Sequence, residues 1–342
     1  IIGEGEAVAP GDELSSRRTI LDALRASLTG AEVVHARGSG ISSGTDDELA
    51  AAVAIAREAD VVVAVLGERS GLTLDSTTGE FRDRAGLGFL GRQQELLEAV
   101  VATGTPVVLV VVSGRPLALE WAAGHCAAIL LAWVPGDAGP DAIADVLNGI
   151  VNPGGKLPVT MPRQVGQLPL TYRHHPTGGH SHPIGDYVDA SVAPLWPFGH
   201  GRSYTSFAID HLRVDRTVLE TTGDTAVIRV DATNTGPRTG DEVVQLYVRD
   251  EEATVARPVR ELRGFRRVRL AAGECRTVVF RLSTEQFSYV GADLRRVVEP
   301  GRVSVQVGTS SVDLPLTAEL LLQGPVVELV QRQHYLTESA LE

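Results

Sequence analysis

Cysteine is scarce: Cys126 and Cys275 are the only two in 342 residues, and they lie too far apart in sequence to form a disulfide framework. Long apolar runs are missing as well. None approaches the ~18 residues that a bilayer-spanning helix requires, so no membrane partner is expected. Positive charge is short, with 31 basic against 43 acidic residues and a formal net charge of -12. A nucleic-acid binder needs a basic face, so nucleic acid is not an expected partner. The one arginine cluster, residues 257–269, alternates with apolar residues, as the exposed face of a strand does. The chain opens Ile1-Ile2-Gly3 without methionine and without a signal peptide, which carries no information on secretion. Cytoplasmic and secreted locations both stay open. No repeat of solenoid length is present.

What is there is ordinary for a soluble globular protein, with 43% hydrophobic and 22% charged residues. The length suits roughly two domains. Residues 1–16 are acidic, glycine-rich and aperiodic, like a connecting segment. Ile20, Leu21, Leu24 and Leu28 form one helical stripe, and a short strand is expected over residues 31–37. Residues 46–59 read as an alanine-rich helix whose acidic first turn suits the helix dipole. Residues 61–66, 106–112 and 127–133 read as strands buried on both faces, and 92–101 and 140–147 as helices, the latter with Pro140 in its first turn. Strands of this kind spaced by helices indicate an α/β domain with a mainly parallel sheet, ending near Arg163.

Residues 164–204 are rich in proline, glycine and histidine and read as an irregular connector. Beyond Tyr204 the period becomes two. Ile228 and Val230, then Val278, Phe280 and Leu282, then Val303, Val305 and Val307 are expected to point inward. With 207–214, 243–248, 259–265 and 314–321 this makes about seven strands, the count of an immunoglobulin-like sandwich over residues 205–323. The tail, 324–342, is expected to strap onto another domain.

Several stretches invite chemistry. Gly38-Ser39-Gly40 up to Gly44 lies between a strand and a helix, but its spacing is not GxGxxG, and Asp46, Asp47 and Glu48 would face a pyrophosphate. No cofactor is therefore expected. His174, His175, His180 and His182 cluster in the connector, where no cysteine or well-placed carboxylate completes a zinc site, so no metal is expected. Tyr187 and Asp189 in the same connector are candidates to reach a neighbouring domain. Cys126, after His125, reads either as a nucleophile or as a small buried hydrophobe. The long polar loop 67–91 hangs from the end of an apolar strand, where open α/β sheets place their ligands. Near its apex stands Glu80, either a solvated surface carboxylate or a group carried by a Ser/Thr/Gly arm for proton transfer into a site built elsewhere.

Along nearly the whole chain, ordered motifs resemble the family 3 glycoside hydrolases of the β-glucosidase and β-xylosidase kind. They are Gly79-Glu80-Phe81-Arg82-Asp83-Arg84, Gly91-Arg92-Gln93-Gln94-Glu95-Leu96, Ser113-Gly114-Arg115-Pro116-Leu117 and Asn152-Pro153-Gly154-Gly155-Lys156-Leu157-Pro158. Pro197-Phe198-Gly199-His200-Gly201-Arg202-Ser203-Tyr204-Thr205 and Gly240-Asp241-Glu242-Val243-Val244-Gln245-Leu246-Tyr247 follow in order.

The resemblance implies a barrel carrying an aspartate nucleophile, then an α/β domain donating the acid/base, then a fibronectin III-like sandwich. This sequence resembles only the second and third parts, so it is expected to be a carboxyl-terminal portion whose α/β domain, residues 1–163, lacks its first strand. It implies Glu80 as general acid/base, with Phe81, Arg82 and Arg84 as candidate substrate contacts; Glu68 is the rival acid/base, although its place at the strand end suits it better to brace the loop. Arg84 is expected to pair with Asp83 or with sugar hydroxyls. Phe81 stands where the family has a small residue, Leu90 where proline is common, Pro140 where glycine is usual and Arg202 where leucine is expected. The implied reaction is hydrolysis of terminal β-glucosides by double displacement, with the two carboxyl groups roughly 5 Å apart. The expected partners are a β-glucoside or oligosaccharide and a barrel on the same parent chain or a separate one; a homo-oligomer stays open. The chain alone is expected to be inactive. The alternative is a non-catalytic carbohydrate-binding or interaction module.

Overall fold

The computed structural model describes residues 18–72, 74, 76–178 and 185–342. His180 and His182 of the expected histidine cluster, and the acidic segment 1–16, lie outside the described residues. The chain divides into two units, residues 1–151 with 162–168 and residues 152–161 with 169–342.

The first unit runs α1 (Ile20–Ser27), α2 (Asp46–Glu58), β1 (Val62–Gly67), α3 (Gln93–Val101), β2 (Val107–Val112), α4 (Glu120–His125), β3 (Ala128–Trp133) and α5 (Gly139–Leu147). Capping boxes start the first two helices: Thr19 pairs with Asp22, and Thr45 with Glu48, each satisfying backbone N–H groups that a helix start leaves without partners. The strands form a parallel sheet in the order β1-β2-β3. Strands joined through helices must pair in parallel, and the central β2 is nearly all valine because helices or loops cover both its faces.

Two sequence expectations fail in this unit. Residues 31–37 carry a single bridge residue, Ala36, rather than a strand: Val34 stays exposed and Arg37 turns its guanidinium to Glu48 at 2.9 Å. The strand over 127–133 is half-buried rather than buried on both faces, because β3 ends the sheet among the described residues. Helix α4 escaped the periodicity analysis since six residues make less than two turns.

In the second unit come β4 (Phe207–Val214), β5 (Val218–Glu220), β6 (Thr225–Asn234), β7 (Gly240–Asp250), β8 (Glu261–Leu270), β9 (Cys275–Ser283), β10 (Tyr289–Val290), β11 (Arg296–Val298), β12 (Gly301–Gly308), β13 (Leu316–Gln323), β14 (Val327–Glu328) and β15 (Glu338–Leu341). A five-stranded sheet, β5-β13-β12-β7-β8, and a four-stranded sheet, β15-β9-β6-β4, enclose one apolar core. The alternation read from the sequence is the core itself: Ile228, Val230, Val278, Phe280, Leu282, Val303, Val305 and Val307 are all buried in it.

The tail corrects another expectation. Its strands belong to the sandwich itself: β15 pairs antiparallel with β9 and completes the four-stranded sheet, while β14 pairs with β11. Residues 152–161 also belong to this unit, on the far side of the boundary placed at Arg163. Asn152 accepts from the Tyr204 N–H at 2.7 Å and the Ser203 hydroxyl at 3.0 Å, and Lys156 pairs with Glu242 at 2.7 Å. The Leu157 N–H donates to His200 at 2.8 Å. Three of the motifs that carry the family resemblance are thus bonded to one another.

Candidate active site

The loop 67–91 starts where β1 ends. Gly67 has φ +151°, and a Cβ there would lie 1.9 Å from the Val112 carbonyl oxygen, so β1 and β2 come together at their carboxyl ends only because this residue is glycine. The buried Gln93 at the start of α3 accepts from the Gly67 N–H at 2.7 Å. Its amide then donates to the carbonyls of Gly67, Ile41 and Leu90, at 3.0, 3.0 and 3.1 Å. One side chain therefore clamps both ends of the loop.

Just above this clamp sits Glu68, whose side chain is fully buried. Its Oε1 accepts from Arg84 Nη1 at 2.7 Å and Arg115 Nη2 at 3.1 Å; its Oε2 accepts from Ser113 Oγ at 3.0 Å and Arg115 Nε at 3.1 Å. Arg115 continues outward to Asp83 at 2.9 Å and to the carbonyls of Arg84 and Gly86, both at 3.1 Å. Arg84 also donates to Gly88 at 2.9 Å. A buried carboxylate with four donors is fully occupied as an acceptor, and removing it would leave the Arg84 guanidinium without its counterion and Arg115 with Asp83 alone.

This corrects the expectation for Arg84. Its guanidinium goes to Glu68, and only its backbone N–H donates to Asp83, at 2.7 Å. Asp83 takes Arg115 as its ion-pair partner instead, because that guanidinium is already fixed beside it.

The other half of the loop folds back on itself. The N–H groups of Thr77 and Thr78 both donate to the Arg69 carbonyl, and Gly71 and Thr78 are joined at 3.0 Å. Arg82 donates through Nε to the Ser76 carbonyl at 3.1 Å and through Nη2 to the Leu74 carbonyl, so its guanidinium ties these two backbone segments to the apical turn. Gly79, Glu80, Phe81 and Arg82 make the apical turn, closed by the Arg82 N–H on the Gly79 carbonyl at 3.2 Å. A Cβ on Gly79, with φ +124°, would sit 2.5 Å from the Gly71 oxygen.

Glu80 takes the second position of this turn and is exposed, with no hydrogen bond or ion pair to any described residue. Phe81 takes the third with φ +61°, a conformation that glycine adopts freely and that costs a bulky residue about 1–3 kcal/mol. It is also 92% exposed.

Cys126 follows α4, where burial pushes its thiol up and makes the thiolate scarcer, which disfavours a nucleophile. His174 contacts the neighbouring His175 carbonyl at 2.9 Å. Tyr187 is exposed. Among the described residues the one group of three side chains close enough to share an ion is Asp210, His211 and Asp231, in the sandwich. Among the described residues no helix is long and apolar enough to cross a membrane. Sequence reading marked Gln93, Ser113 and Arg115 only as parts of motifs. Their roles lie mainly in contacts spanning 26 to 52 residues, which no local pattern reveals.

Comparison with known proteins gives this geometry its context. The glycosyl hydrolase family 3 C-terminal domain matches residues 1–204, and the fibronectin type III-like domain matches residues 242–311. A β-xylosidase of Formosa agariphila is 41% identical over 86% of this chain and 40% of its own length. A periplasmic β-glucosidase of Salmonella typhimurium is 39% identical over 76% of this chain and 34% of its own. Among solved structures, a β-glucosidase from Erythrobacter marinus superposes with a TM-score of 0.81 at 39% identity, covering 89% of this chain and 43% of that one. The β-glucosidase from Listeria innocua in complex with isofagomine gives 0.83 at 32% identity, covering 92% and 43%. The chain spans about two fifths of the length of the first of these relatives. The chain belongs to glycosyl hydrolase family 3, carrying its C-terminal α/β domain and its fibronectin type III-like domain.

Proposed function

We propose that this chain supplies the acid/base half of a retaining β-glycosidase, with Glu80 as proton donor and a barrel, on the same parent chain or a partner chain, as the source of the aspartate nucleophile. The observation that carries the reading is the contrast between the loop's two glutamates. Glu68 has all its acceptor capacity taken, whereas Glu80 stands exposed and unpaired at the apex of a turn. A proton donor must reach its acceptor directly or through one water. Glu80 can do so in a site formed by another domain; Glu68 cannot without breaking the brace.

In the first step the nucleophile attacks the anomeric carbon while the Glu80 carboxyl gives its proton to the departing glycosidic oxygen. In the second the Glu80 carboxylate takes a proton from water, which attacks the anomeric carbon and frees the nucleophile. The substrate is a terminal β-D-glucoside. The names of the similar β-glucosidases support that choice, and those of the β-xylosidases keep a xyloside as the second candidate. Arg82 and Arg84 serve the loop, which leaves Phe81 as the candidate substrate contact beside the acid.

Glu80→Gln in the assembled enzyme tests this. Turnover of substrates with poor leaving groups is expected to fall about 10²–10⁴-fold, the usual contribution of a positioned general acid. An activated aryl glucoside, which needs little protonation, is expected to suffer much less in glycosylation. Equal rates for wild type and variant on both substrates would refute the assignment. Saturable sugar binding by the chain with no effect of Glu80→Gln would support a binding module instead.

A further inference from the structure

Three segments of the second unit bring arginines to one carboxylate. The connector supplies Arg173, β8 and the residues before it supply Arg263 and Arg257, and the tail supplies Arg332. The Glu261 side chain, 9% exposed, accepts through Oε1 from Arg173 Nη2 at 2.6 Å and through Oε2 from Arg257 Nη2 at 2.8 Å and Arg263 Nη2 at 2.9 Å. Each guanidinium gives this carboxylate one N–H, where an arginine fork can give two. Arg257 has a further carboxylate, Asp250, at 3.8 Å. Among the described residues Arg173 and Arg263 have no second one, and Arg332 pairs with none.

Positive charge is therefore in excess around Glu261, in surroundings partly closed to water. Burial pushes the Arg263 guanidinium down to about 10; Glu261 opposes the shift, and Arg332, Arg257 and Arg173 add to it. Burial lowers Arg332 too, with Arg296 adding to the shift while Tyr335, Glu261 and Glu285 oppose it. An anion placed alongside would favour the charged form of both groups.

The segments are also fixed by bonds outside the cluster. The Val259 N–H donates to the His174 carbonyl at 2.9 Å and the Leu262 N–H to the Tyr172 hydroxyl at 3.3 Å, which hold the connector on both sides of Arg173. The Gln333 and His334 N–H groups donate to Glu285 at 3.0 and 3.1 Å, and the Thr337 N–H donates to the Arg263 carbonyl at 2.9 Å. Between these two anchors of the tail stands Tyr335, 65% exposed, with the Arg332 guanidinium 5.1 Å from the centre of its ring. A site assembled before its ligand arrives loses less entropy on binding.

We infer that this surface of the second unit binds an acidic sugar, a uronate whose carboxylate is received by the guanidinium groups around Glu261 while a sugar ring packs on Tyr335. The inference does not rest on the assignment of Glu80. The chain has a net charge of -12, so the cluster is a local exception that draws an anion to one place. The guanidinium fork matches a carboxylate, and Arg173, whose side chain is 53% exposed, keeps donors within reach of solvent. An exposed aromatic ring beside them suits the apolar face of a sugar and offers a bare inorganic anion nothing. A neutral sugar would leave the excess charge unanswered.

The test is a calorimetric titration of the full chain with trigalacturonate. Saturable binding is expected, weakened about tenfold when the carboxyl groups are methyl-esterified, as for the loss of one charge-assisted hydrogen bond. Added salt should weaken it further. Both readouts use the wild-type chain and stand even where a variant fails to fold. Arg173→Ala and Arg332→Ala, each with its unfolding midpoint checked, should weaken trigalacturonate by a similar factor and leave the methyl ester little changed. Tyr335→Ala should weaken trigalacturonate several-fold and leave inorganic phosphate unaffected. Equal affinity for trigalacturonate and its ester overturns the inference, as does failure to saturate at millimolar concentration. Inorganic phosphate or an acidic peptide bound as tightly as trigalacturonate, with Tyr335→Ala silent, also overturns it, because the cluster would then hold an anion without its sugar.

Discussion

The base and the tip of one loop are built in opposite ways. At the base, Glu68, Arg84, Arg115, Ser113 and Gln93 form a largely buried network in which the carboxylate accepts four donors and the glutamine amide fixes both loop ends. At the tip, Glu80 and Phe81 are exposed, with the first unpaired and the second strained. A reactive group must be free to meet its substrate, yet held where the substrate will be. With Glu80 as the proposed proton donor, the loop would meet both needs by separating them: the hydrogen-bonded brace is at Glu68 and the exposed, unpaired carboxylate at Glu80, twelve residues apart.

The comparison is broken most forcefully at the base. Glu68→Gln removes the charge that two guanidinium groups share, and truncating one partner of a buried pair typically costs about 3–5 kcal/mol. Urea unfolding of the first unit is expected to shift accordingly, whereas Glu80→Gln should stay within ~0.5 kcal/mol of wild type, as exposed substitutions do. Equal shifts for the two variants would show that base and tip are not different in kind.

A smaller effect lies outside the loop and checks that the division is specific to it. In the second unit His200 is half-buried, and burial, with Arg202 and Lys156 beside it, holds its pKa below the usual 6.5. The folded state therefore keeps this imidazole neutral where the unfolded chain would protonate it. Its contribution is fully present above pH 6.5 and is lost as pH falls from there towards the lowered folded value. The unfolding midpoint of the second unit should decline across that window, and His200→Gln should flatten the decline. A midpoint that rises on acidification would contradict it.

Much of this was legible in the residues. The strands of the α/β unit announce themselves because runs such as residues 107–112 are buried on both faces, and the sandwich strands because alternation survives wherever one face is core. Glu80 stands out in the sequence as a candidate from its place beyond a parallel strand, and its role is the proposal to be tested. Glu68, at the strand end, could be read as a brace for the loop, but its partners could not: Glu68 and Arg115 are 47 residues apart and meet only because β1 and β2 are neighbours. Arg82 and Arg84 look alike beside Glu80 in sequence, yet one ties the loop to itself and the other goes to Glu68. Charge pattern alone does not distinguish a ligand contact from a structural one. The tail misled for a related reason, since β15 is four residues long and its partner β9 ends more than fifty residues earlier.

The most direct measurement is rescue of Glu80→Ala in the assembled enzyme by azide, with an activated aryl β-glucoside as substrate. Removing the base that activates water leaves the glycosyl-enzyme to accumulate, and a small anion can attack it from the face Glu80 vacated, releasing the nucleophile carboxylate. Turnover should rise with azide concentration, and the product should be the β-configured glycosyl azide. No acceleration by azide, or rescue of Glu68→Ala in place of Glu80→Ala, would contradict the assignment of the proton donor.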